Sequence, residues 1–122
     1  GEPGRPVTLA VEPGAEAWID GSAYLAKVPE GGLPRGWHEG GLVEVRGRRH
    51  VRLHGLQVRR SRVAGLYVSK SEDVEIAGCL VRETYNSGIG VWYSRNARVL
   101  RNEVLHGNDQ AMRPEGVPLR RE

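Results

Sequence analysis

Residues 64–86 read AGLYVSKSEDVEIAGCLVRETYN and residues 87–109 read SGIGVWYSRNARVLRNEVLHGND, and the two superpose without a gap. Residues 41–63 join them at the same offset. Val45, Val68 and Val91 then share a column, as do Val51, Val74 and Ala97, then Leu53, Ile76 and Val99, then Val58, Val81 and Val104. A fixed period in this range marks stacked supersecondary units, none of which can bury its apolar face alone. Within each unit the apolar residues alternate, the period of a strand with one buried face. Three short strands separated by bends at Gly55, Gly78 and Arg101 describe one rung of a parallel β-helix. Helical repeats need runs of 3.6-residue periodicity, and none is present.

Strands stacked about 4.8 Å apart bring each side chain against its copies in neighbouring rungs. The outward columns give an independent check on the register. Arg52, Glu75 and Arg98 alternate in sign, and so do Arg60, Glu83 and His106. Opposite charges placed opposite one another are mildly favourable. The bend column Leu56, Cys79 and Asn102 faces inward. Cys79 thus reads as a small buried hydrophobe, and Asn102 as a residue whose amide pairs with the backbone.

Ahead of the three regular rungs (41–109), residues 1–21 carry the alternation Val7, Leu9, Val11, a Pro13-Gly14 turn and Trp18-Ile19-Asp20-Gly21. They read as an irregular first rung, which makes about four rungs in all. Residues 22–40 hold two prolines and many glycines and read as a loop. Beyond residue 109 the register predicts a further strand through Ala111, Met112 and Pro114, but proline cannot donate to a ladder there. Residues 113–122 therefore read as a disordered tail outside a 1–112 domain, and the chain reads as a fragment with an open C-terminal rung able to self-associate.

Composition sets wider bounds. Seventeen glycines and no phenylalanine suit short strands and tight bends. The formal charge is +3, from 18 basic and 15 acidic residues. Without long blocks of like charge, nucleic acid is not the expected partner. No run approaches the roughly 18 apolar residues of a membrane span, so no membrane partner is expected, and no signal peptide is visible.

The opening GEPGRPVTLAVEPGAEAWIDGS and the two quoted repeats resemble the right-handed parallel β-helix of the pectin-lyase-like superfamily, with Asn102 placed where that family runs an inward asparagine ladder. The resemblance implies an all-β solenoid that binds or degrades polysaccharide, often acidic, as a lyase or hydrolase outside the cell or in the periplasm. It also implies a basic side chain as proton acceptor and, in the lyases, calcium. Asp20, Asp73 and Asp109 lie in different rungs or turns, so no calcium cluster is evident and no metal ligand is assigned. The alternative is a non-catalytic structural or adhesive module that associates through its open end.

Two surfaces are candidates for sugar binding. On the first strand the outward columns are Glu44, Tyr67, Gly90 and Arg46, Ser69, Trp92. Tyr67 and Trp92 lie on neighbouring rungs and suit the apolar faces of sugar rings; the plainer alternative is packing beneath the 22–40 loop. The turn before that strand adds Arg82, Glu83, Tyr85 and Asn86, residue types also common in turns for conformational reasons. No catalytic residue is selected. Lys27, Lys70 and Arg82 are each conceivable bases, although an arginine would need an unusual environment to lose its proton. His38, His50, His54 and His106 show no metal-ligand spacing and read as solvated surface.

Overall fold

In a computed structural model the chain is described at residues 1–12, 14–25, 30–33, 35–114 and 117. Eleven strands occur among these residues: β1 (Val7–Ala10), β2 (Ile19–Asp20), β3 (Gly41–Arg46), β4 (Arg49–His54), β5 (Gln57–Ser61), β6 (Ala64–Ser69), β7 (Glu72–Ala77), β8 (Leu80–Thr84), β9 (Ile89–Trp92), β10 (Arg95–Leu100) and β11 (Glu103–Leu105). They form three parallel sheets, ordered β3-β6-β9, β1-β4-β7-β10 and β2-β5-β8-β11. Each strand thus pairs with the equivalent strand of the next rung, which makes the fold an all-β parallel β-helix. The register follows the columns read from sequence: Val45↔Val68, Val68↔Val91, Val51↔Val74, Ile76↔Val99 and Val81↔Val104 are partners.

The corners are made by the backbone. Twelve left-handed positions recur in four columns of three: Gly47, Lys70, Tyr93; His50, Asp73, Asn96; Gly55, Gly78, Arg101; and Arg60, Glu83, His106. The Gly47 and Gly55 columns lie between strands and turn the chain into the next sheet, whereas His50, Asp73 and Asn96, like Arg60 and Glu83, lie within strands. Side-chain hydrogen bonds pin the corners between rungs. Ser71 Oγ accepts from Arg48 N and Ser94 Oγ from Ser71 N, both at 3.1 Å, while the two hydroxyls donate to Ser69 O and Trp92 O at 2.8 Å. Asn102 spans the third corner in the same way, accepting from Cys79 N at 2.8 Å and donating to Ile76 O at 2.9 Å.

The inward columns form the core, with Leu53, Leu66, Ile76, Val58, Val68, Val74, Val81 and Cys79 fully buried. Burial raises the Cys79 thiol pKa, which keeps the sulfur protonated and unreactive. In the outermost rungs the same columns stay open to solvent: Val91, Val99 and Val104 are 37%, 48% and 43% exposed, and Val7, Leu9 and Ile19 are exposed at the other end.

Strands β1 and β2 pair with β4 and β5, so among the described residues the first rung contributes strands to two of the three sheets. Asp20 fastens this rung: its carboxylate accepts from Ser22 N at 2.8 Å and from Arg59 Nε at 2.7 Å. The Ser22 hydroxyl and amide, with Arg59, hold its pKa down to about 2. Residues Ser22–Leu25, expected within a loop, form one helical turn, α1. Where the register predicts a strand near Ala111, the chain makes a 3-10 turn over Gln110–Met112. Asp109 caps that turn by accepting from Ala111 N at 2.9 Å, and Arg113 N bonds back to Gln110 O, which takes the amides a ladder would need. Met112 and Pro114 are buried, whereas most of the expected tail, 115–116 and 118–122, lies outside the described residues.

Candidate functional site

The outer face of the β3-β6-β9 sheet forms the floor of a groove of about 560 Å³. Alternation sends Val45, Val68 and Leu66 inward and leaves Glu44, Arg46, Tyr67, Ser69, Gly90 and Trp92 facing out. On β6 and β9 large and small residues sit on opposite diagonals. Tyr67 is paired with Gly90 and Ser69 with Trp92. A Cβ added at Gly90 would lie 3.3 Å from Trp92 Nε1 and 3.4 Å from Tyr67 Cδ2, so both rings flank the glycine closely. A side chain at position 90 would have to push one of these rings aside.

One wall comes from residues 37–39. Trp37 stacks on the buried Tyr85 ring with centroids 5.9 Å apart and planes at 26°. Asn86 Nδ2 donates to His38 O at 3.3 Å, and Arg46 Nη2 donates to Glu39 O at 3.1 Å. The Arg46 guanidinium also lies 3.5 Å from Glu44 and 5.8 Å from the centre of the Tyr67 ring. The opposite wall is the left-handed corner of Lys70 and Tyr93. Across that corner lies a second hollow of about 390 Å³, lined by Arg48, Arg49, Arg95 and Glu72 and sharing Lys70 and Tyr93 with the first. The two hollows together carry an excess of positive charge.

The residues expected at the site divide. Tyr67, Trp92 and Asn86 line the groove. Tyr85 lies buried beneath the wall as the support of Trp37. Arg82 and Glu83 stand on β8 in the third sheet, where Glu83 faces Arg60 at 3.7 Å. Lys70, one of three conceivable bases, borders the groove, whereas Lys27 lies outside the described residues. Ser69 lines it too, from the outward column read from sequence, and His38, Glu39 and Ser87 line it without having been singled out, the first two because a wall made by a distant loop leaves no spacing in the sequence.

A separate polar cluster covers the outer face of the second sheet. Asp73 meets His50 Nδ1 at 2.6 Å, Arg98 Nη2 at 2.9 Å and Arg52 Nη2 at 3.4 Å. Glu75 meets His54 Nε2 at 2.6 Å and Arg98 Nε at 3.5 Å. Hydrogen bonds from His50 first, then from Arg98, hold the Asp73 pKa far below the usual carboxylate range; His54 lowers that of Glu75. Among the described residues no three His, Cys, Asp or Glu side chains converge as a metal site would require. The carboxylates are engaged by cations of the chain instead, and the side chains present do not fit a calcium cage.

Searches against protein-family models, curated proteins and solved structures each return no match to this chain.

Proposed function

We propose that the chain is a polysaccharide-binding β-helix of the pectin-lyase-like kind, with the groove on its first sheet as the site. The observation that carries this reading is that Tyr67 and Trp92 flank Gly90 on the floor of a groove that crosses three rungs. Aromatic faces accept the C–H faces of pyranose rings, and the surrounding polar rim accepts their hydroxyls. Arg46 and Lys70, with Arg48, Arg49 and Arg95 just beyond the corner, favour an acidic polymer over a neutral one. In the degrading form of this reading Lys70 takes the C5 proton beside a uronate carboxylate whose charge Arg46 neutralises, and the electron pair expels the glycosidic oxygen at C4 to leave a C4–C5 double bond.

Calorimetric titration with a hexamer of galacturonic acid tests the reading. Trp92→Ala, at an exposed position, should weaken binding about tenfold, or about 1.4 kcal/mol, with the thermal midpoint unchanged. Unaltered affinity would remove the aromatic platform. Release of unsaturated uronate ends, lost in Lys70→Ala, separates cleavage from binding alone.

A further inference from the structure

We propose that Ser69 is the hydroxyl-recognising contact of this groove, the point where a sugar hydroxyl exchanges hydrogen bonds with the protein; the assignment rests on the polysaccharide reading above. Four polar side chains are buried among the described residues: Ser61, Ser69, Ser71 and Thr84. Three are committed to turns. Ser61 Oγ donates to Ala64 O at 2.7 Å and accepts from Val63 N at 3.0 Å. Ser71 Oγ joins Arg48 N to Ser69 O, and Thr84 Oγ1 donates to Asn86 O at 2.6 Å. Ser69 Oγ has no partner, although the residue is only 4% exposed.

A buried hydroxyl without a hydrogen bond destabilises a fold, and a structural role at this position would be better served by alanine. The surroundings indicate what the hydroxyl suits. Ser69 lines the groove as the short member of the column Arg46–Ser69–Trp92, diagonal to Gly90. A ring stacked on Tyr67 or Trp92 therefore projects its rim toward the small residues. A serine hydroxyl donates once and accepts twice, which matches a sugar hydroxyl, whereas a carboxylate is better served by Arg46 or Lys70. Ser69 Oγ is closed to bulk solvent, so a ligand must turn a groove side chain aside to reach it. Trp92, its partner on the next rung, keeps 55% of its surface in solvent and is placed to do so.

The test compares Ser69→Ala and Ser71→Ala by titration and thermal unfolding, using hexamers of galacturonic acid and of glucose as probes. Ser69→Ala should bind about five- to tenfold more weakly while its midpoint stays the same or rises. Because the lost contact is uncharged, that factor should be equal at roughly 0.05 and 0.5 M salt, whereas the loss from Lys70→Ala should shrink. Ser71→Ala should instead lower the midpoint. If Ser69→Ala binds as wild type does while Trp92→Ala does not, the Ser69 assignment is wrong and the groove stands. A lowered midpoint in Ser69→Ala would make the hydroxyl structural and also overturn the assignment. Binding of neither hexamer by the wild-type protein would overturn both the assignment and the reading beneath it.

Discussion

At Arg101 the chain adopts φ 53°, where the two preceding rungs have Gly55 at 67° and Gly78 at 63°. An L residue in this region costs about 1–2 kcal/mol of local strain, and glycine adopts it freely. Arg101→Gly should therefore raise stability by about 0.5–1 kcal/mol in denaturant unfolding, after glycine's entropic cost is allowed for. No change would mean that the arginine side chain offsets its own strain. The glycines of this column disclosed the bend in the sequence, but Lys70, Glu83 and Tyr93 gave no comparable signal, since none of them favours the left-handed region. Glu83 shows the consequence for the site. Its left-handed φ of 56° falls within β8 and the bend follows at Tyr85 and Asn86, so Arg82 and Glu83 stay on the third sheet while Asn86 reaches the groove. Tyr67 and Trp92 were legible because alternation and the period place them directly. The missing partner of Ser69 was not, because it depends on which carbonyls the corners leave within reach.

At the scale of the strand, the alternating charges read from sequence are present, and Arg52 and Arg98 both pair in register with Glu75. The contacts are partly diagonal, however. Arg98 reaches Asp73 as well as Glu75, Arg52 goes to Asp73, and His54 takes the other oxygen of Glu75. Asp73 faces the same side as Glu75, as alternation with the buried Val74 and Ile76 requires, and so lies within reach of both arginines. Both carboxylates have folded-state pKa values below their unfolded ones. Their contribution is therefore complete above the unfolded values, about pH 4, and is lost as pH falls toward the lower folded values. Thermal midpoints measured from pH 6 downward should drop more shallowly in Asp73→Asn than in wild type. Parallel slopes would show that this network does not couple the rungs. High salt should also weaken it, since the groups are partly exposed.

At the scale of the molecule, every sheet runs through successive rungs, and each inner rung is held by the one before and the one after. Stability in such an array is a sum of rung terms and nearest-neighbour interfaces. Duplicating residues 64–86, one full period, should keep every column aligned and raise the unfolding midpoint. A duplication shortened by one residue reverses inward and outward faces beyond the junction and should lower it. Equal effects of the two insertions, followed by circular dichroism on heating, would contradict the columnar account.

The groove belongs to no single rung: Arg46, Ser69 and Trp92 come from three successive ones. A ligand lying across them acts as a staple through adjacent turns of a spring. Pulled from its C-terminal end, the coil can peel the rung that carries Trp92 only by breaking its hold on that staple. Occupancy and mechanical toughness would thereby be tied, since any ligand spanning the groove would also raise the force at which the coil unwinds.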